Sequence, residues 1–168
     1  MEKSIYQGTG LQFAALPFRA EAGNVQIRLI TSRETRRWII PKGWPIRGLA
    51  PKDVAAREAF EEAGLVGRIV GKRSIGSYHY TKRLPQNQER LCCVKVFLLS
   101  VDRQLDDWPE KEQRAYQWVT PRKAARMVDE RGLARIIRFA FQRSSSVPRW
   151  QKEAVFRAST NMAPGGPP

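Results

Sequence analysis

Lys42–Leu65 reads KGWPIRGLAPKDVAAREAFEEAGL, a glycine-bearing loop that runs into a helix. Pro51 at the first helical position, Asp53 in the first turn, an alanine-rich interior and Gly64 where a left-handed cap belongs predict a helix over 51–63. At about 100° per residue, Glu58, Glu61 and Glu62 gather on one face. Ala56, Ala59, Phe60 and Ala63 are expected on the opposite face, packed on a sheet. Three like charges so close together destabilise a helix, and they sit towards the end where its dipole disfavours anions. A divalent cation resolves both problems: Mg²⁺ prefers carboxylate oxygens and retains waters, so it can also hold a phosphate. On the helix alone, a solvated acidic face paired with lysines and arginines stays open as the alternative. The preceding Lys42-Gly43-Trp44-Pro45 adds a second signal, because a glycine loop entering a helix lets backbone approach and cradle phosphate.

Working outward, Leu11 to Arg19 reads as a strand in which Pro17 suggests an edge or a bulge. Asn24 to Thr31 alternates Val25, Ile27 and Leu29 with polar residues, the period of a half-buried strand, and the turn residues between the two predict a hairpin. Arg37–Ile40 is a short third strand stopped by Pro41. Beyond the helix, Gly67–Tyr80 and the strongly apolar Arg90–Val101 read as strands separated by a polar loop over 81–89. An acidic loop over 105–114, a short strand over 115–119 and two helices, one opened by Thr120-Pro121 and one over 132–142, complete the pattern. Strands interleaved with helices predict an α/β domain over 1–143 with the sheet between helical layers. The composition shifts at Ser144-Ser145-Ser146, so 144–168, ending Pro-Gly-Gly-Pro-Pro, reads as a basic, partly disordered tail.

The 168 residues carry 30 Lys plus Arg against 16 Asp plus Glu, a net charge of +14, which points to a polyanionic partner: nucleic acid, acidic lipid headgroups or a small polyphosphate. No apolar run is long enough to span a membrane and the N-terminus lacks the apolar core of a signal peptide, so a soluble, cytoplasmic protein is expected. Adjacent Cys92 and Cys93 exclude a disulfide scaffold and read as packing residues on alternate sides of one strand. The single His79 excludes zinc sites built on two or three histidines and reads as a surface or strand-pairing residue. Carboxylates are therefore left as the carriers of any catalysis. Nothing specifies an oligomeric state.

Gly43, Arg57-Glu58-Ala59, Glu61-Glu62 and Gly64-Leu65 keep the full spacing of the Nudix box, and the chain is identified as resembling that family. One position departs: Leu49 stands where the box has its first Glu, which bears on loop anchoring and metal number. The resemblance implies the Nudix fold, an α/β/α sandwich on a mixed sheet, and hydrolysis of a diphosphate linkage with Mg²⁺ or Mn²⁺. It implies that Glu61 and Glu62 are metal ligands and that Glu58 is a further ligand or the base that activates water. Arg57 would orient the glutamates by ion pairing, and a backbone carbonyl near Lys42 or Gly43 would complete the metal shell.

Between Arg19 and Arg47 the basic residues Arg19, Arg28, Arg33, Arg36, Arg37, Lys42 and Arg47 face only Glu21 and Glu34, which suggests a highly anionic substrate. Ser32–Gly43, Leu105–Glu110, Arg114 and Trp118 are similar to the diphosphoinositol polyphosphate phosphohydrolase branch, whose enzymes also act on diadenosine polyphosphates. That likeness makes Arg33, Arg37, Lys42, Gly43 and Arg114 the candidate substrate contacts. Trp44 replaces a glycine of that branch's triplet and is expected to reshape the pocket. The alternatives are an RNA 5′-pyrophosphohydrolase and a non-catalytic nucleotide- or nucleic-acid-binding module. Glu110 and Glu112 are read as solvated loop charges, and Trp108 and Trp118 as core or rim residues.

Overall fold

The computed structural model describes residues 8–142 apart from residue 22, so the expected tail over 144–168 lies outside the described residues. Strands β1 (Gly10–Glu21) and β2 (Asn24–Thr31) form the expected hairpin, with Glu21 opposite Asn24. Next come β3 (Trp38–Ile39), β4 (Lys42–Gly43), α1 (Pro51–Ala63), β5 (Leu65–Val70), β6 (Gly76–Leu84) and β7 (Gln88–Gln104), then β8 (Tyr116–Val119), α2 (Pro121–Met127) and α3 (Arg131–Ala140). The strands make one sheet ordered β3-β2-β1-β7-β5, with β4 paired to β1, β6 to β7 and β8 to β2. Among the described strands only β1 and β7 pair in parallel, so the sheet is mixed.

Helix α1 covers one face, over Phe13, Ala15, Ile30, Phe97 and Leu99, and α2 and α3 cover the other, over Leu16, Ile27, Leu29, Val94 and Leu98. Alternation along β1 sends Ala14 and Leu16 to one core and Phe13 and Ala15 to the other. The result is the expected α/β/α sandwich.

Pro17 is not at an edge. Strand β1 pairs with β7 along Gly10–Phe18, and on its other side it leaves β4 after Ala14 and joins β2 at Phe18. The proline sits where that side changes partner, so its missing N–H interrupts neither antiparallel ladder. The single strand expected over 67–80 is two, β5 and β6, which meet β7 in succession, Leu65 opposite Gln104 and Gly76 opposite Val96. The polar loop expected over 81–89 is mostly hairpin, paired to Leu84 opposite Gln88 around a tight turn at Pro85–Asn87.

Helix α1 has the expected bounds, and Gly64 ends it at φ 64°, its N–H donating to the carbonyls of Ala59 and Phe60. Its inward face differs from the expected one. Val54, Ala55, Ala59 and Ala63 are buried, Ala56 is half-buried and Phe60 points outward, 41% exposed. On a helical wheel Glu58 and Glu62 fall inside the arc from Val54 to Ala63, so the acidic face is part of the packed face and Glu62 is 8% exposed.

A Cβ at Gly64 would lie 2.4 Å from the Trp108 ring. Gly64→Ala is expected to cost at least about 1–2 kcal/mol from the left-handed backbone alone, lowering the Tm by roughly 2–8 °C, as checked by thermal unfolding.

Candidate active site

Pairing of β4 with β1, Phe13 opposite Gly43 and Ala14 opposite Lys42, fixes the loop backbone against α1. There the Lys42 N–H donates to Glu62 Oε2 at 3.1 Å. A Cβ at Gly43 would stand 1.9 Å from Glu58 Oε1, so only the absence of a side chain lets the Glu58 carboxyl lie against this backbone. Arg114, its side chain 5% exposed, donates to Glu62, to Glu110 Oε2 at 2.7 Å and to the Thr31 carbonyl at 2.9 Å. Arg57 Nε donates to Glu61 Oε1 at 2.7 Å, and the Glu110 N–H donates to the Glu61 carbonyl at 3.1 Å.

Beside Glu62 opens a cleft of about 420 Å³. Arg33 and Arg37 line it from the β2–β3 turn, Lys42 from β4, Tyr80, Lys82 and Arg83 from β6, and Arg114 from the loop before β8. Glu130, at the start of α3, closes one wall and pairs with Arg37 at 3.4 Å.

The NUDIX domain family matches residues 11–139. The chain belongs to the Nudix family. Among Nudix relatives, Nudix hydrolase 16, mitochondrial, of Arabidopsis thaliana is 30% identical over 137 residues, covering 74% of this chain and 75% of that protein. Diphosphoinositol polyphosphate phosphohydrolase 3-beta of Bos taurus is 34% identical over 104 residues, which cover 62% of this chain and 58% of that protein. In structure, a C. elegans Ap4A hydrolase binary complex superposes with a TM-score of 0.60 at 18% identity, covering 77% of this chain and 93% of that one. The NUDIX domain of Shewanella oneidensis NrtR complexed with ADP ribose gives 0.59 at 12%, covering 84% and 94%. At these identities the two superpositions speak for the Nudix fold alone.

The Nudix box residues do not form a joint three-carboxylate cage: among the described residues no three acidic, His or Cys side chains converge as a metal cluster. Each glutamate takes a different environment. Glu61 turns back along the helix to Arg57, Glu62 turns in to Arg114, and Glu58 has no hydrogen-bond or ion-pair partner among the described residues. Arg114, expected to touch phosphate, has all three guanidinium nitrogens committed to protein oxygens, so it ties the helix to the loop before β8. Arg33, Arg37 and Lys42 do share the cleft.

Glu110, expected in solvent, is docked under the Nudix helix between Arg114 and Arg33, the latter at 3.7 Å. Tyr80, Lys82, Arg83 and Glu130 were missed. The alternation of Tyr78, Tyr80 and Lys82, which carries β6 on through Leu84, is the sequence signal that points to Tyr80 and Lys82. His79 is exposed and lies opposite Cys93 in the β6–β7 ladder, Cys92 is buried and Cys93 half-buried, as expected.

Burial, followed by the charges of Glu62, Glu61 and Glu110, pushes the Glu58 carboxyl up to about 7. Burial also raises Glu62, against the opposing pull of Arg114 and Lys42, and lowers the Lys42 ammonium to about 8. Because the folded state holds the Glu58 proton more tightly than the unfolded chain, this group's contribution is largest below pH 4.5. It falls as pH rises to about 7. Thermal unfolding in chelator is therefore expected to decline across that window, and Glu58→Gln to flatten the decline.

Proposed function

We propose that the chain hydrolyses a phosphoanhydride bond in a small, highly anionic polyphosphate, with Mg²⁺ or Mn²⁺ held by Glu58, Glu61 and Glu62. The observation that carries this reading is the cleft in which Arg33, Arg37 and Lys42 open directly onto Glu62. The donors are of the kind a hard cation takes: all three are carboxylates, which would turn together to share an ion, and Glu58, with no partner among the described residues, lies in the space that a Cβ at residue 43 would fill. When bound, such an ion supplies Lewis acidity towards the attacking water and the phosphoryl oxygens. Glu58, held near neutrality, is suited to take the proton of that water at its carboxylate. Arg57 steadies Glu61, Arg114 steadies Glu62 and Glu110, and Arg33, Arg37 and Lys42 bind and orient the phosphates.

A relative named for diphosphoinositol polyphosphates favours this substrate class. The test is a screen of inositol pyrophosphates, dinucleoside polyphosphates, nucleotide sugars and triphosphorylated RNA with each ion, against Glu61→Gln. Turnover of one of the first two classes, lost in the variant, supports the proposal. Turnover confined to RNA, rising with its length and falling steeply with salt, overturns it in favour of the RNA 5′ reading. Equal rates in variant and wild type reject the site.

A further inference from the structure

At the α2–α3 junction Asp129 and Glu130 meet the cleft residue Arg37 at 3.9 and 3.4 Å, and Glu130 lines the cleft itself. The outward side of the two helices is left with Arg122, Lys123, Arg126, Arg131, Arg135 and Arg138. All are exposed, and none has an ion-pair partner among the described residues. On α3 the spacing i, i+4, i+7 puts Arg131, Arg135 and Arg138 in one stripe, opposite the buried Leu133, Ala134 and Ile137.

Beside that stripe Phe139 stands 76% exposed, the most exposed large apolar side chain described. With Ile136 it walls a trough of about 430 Å³, lined on the other side by Val70 and Ile75 and rimmed by Lys72 and Arg73 of the β5–β6 connection. A solvated helix has no need of a protruding phenyl ring, and a nucleic-acid backbone would satisfy the cations without using the apolar trough. Cationic rim, apolar floor and protruding aromatic together match the boundary between phosphate headgroups and acyl chains.

We infer that this face docks on anionic phospholipid bilayers, with lipid phosphates on Lys72, Arg73, Arg135 and Arg138 and the Phe139 ring at the acyl boundary. The trough lies at the C-terminal end of α3 and the cleft touches its N-terminal end at Glu130, so docking leaves the cleft open. The surface is independent of the reading of the cleft, and none of its residues belongs to the proposed catalytic machinery.

The test is co-sedimentation of the full chain with vesicles of phosphatidylcholine alone or mixed with phosphatidylserine, with circular dichroism confirming that each variant is folded. Binding only to the serine-containing vesicles is expected, weakened about tenfold or more by Arg135→Gln/Arg138→Gln and also lost in large part by Phe139→Ser. Equal binding to neutral vesicles overturns the inference. So does undiminished binding of the double arginine variant, which would put the affinity elsewhere in the chain. A Phe139→Ser protein that binds vesicles like wild type, with single-stranded RNA competing in an arginine-dependent way, also overturns it and leaves a nucleic-acid surface.

Discussion

Glu58→Gln is expected to lower kcat/KM by about 10²–10⁴-fold while leaving the protein at least as stable as wild type. The two halves of that expectation come from the same geometry. Glu58 lies inside the packed arc of α1, near Glu62, Glu61 and Glu110, with no ion pair among the described residues, and its carboxyl is pushed up to about 7. In the folded protein without a cation, that carboxylate is a cost. Glutamine keeps the volume and removes the charge, so the fold loses nothing. Catalysis loses both a proton acceptor and an oxygen donor of full negative charge. Initial rates with Mg²⁺ and thermal unfolding of the same samples check both halves. A variant within a few-fold of wild type in rate would move the base to Glu61 or to Glu110. A variant that loses activity and stability together would make Glu58 a structural residue.

The contrast between Glu58 and its neighbours also locates what the sequence could tell and what it could not. The bounds of α1 were legible because local chemistry sets them: Pro51 opens the helix whatever surrounds it, and Gly64 closes it because few other residues take its backbone angle cheaply. The hairpin of β1 and β2 was legible for the same reason, its turn and alternation both being local. Which side of α1 faces the sheet was not, because small alanines at 55, 59 and 63 let the helix approach closely enough to bury Glu62, while the larger Phe60 is left outside. Helical periodicity separates polar from apolar residues and has no means of placing an acid within the packed arc.

Arg114 was found as a cationic residue, but its work depends on Thr31, Glu62 and Glu110, which are far apart in sequence and brought together only by the sheet. Pro17 misled because a proline's natural place is an edge, and a strand that changes partners part-way offers the same freedom in the middle of a sheet.

Gly43→Ala tests how closely the site depends on the contact between β4 and α1. The added carbon would stand 1.9 Å from Glu58 Oε1 and 2.2 Å from its carboxyl carbon, far inside the roughly 3.5–4.0 Å at which carbon atoms touch. No backbone strain is involved, since Gly43 has an ordinary negative φ; the whole effect is the space the carboxyl occupies. Either Glu58 swings out, or the two-residue strand lifts from Phe13 and Ala14 and takes the Lys42 N–H away from Glu62. A displacement of about 1 Å at a reacting group is enough for a loss near 10²-fold, so kcat is expected to fall at least that far, with a smaller rise in KM, since Lys42 moves with the strand while Arg33 and Arg37 lie on another segment.

The cause can be isolated by a double-mutant cycle. In a Glu58→Ala background the obstacle is gone, so Gly43→Ala should cost no stability there, whereas it lowers the Tm of the wild type. In activity the double variant should be no worse than Glu58→Ala alone. Independent, additive losses in both measurements would mean that residue 43 acts through the loop and not through Glu58, and the close approach of backbone to carboxyl would then have no part in catalysis.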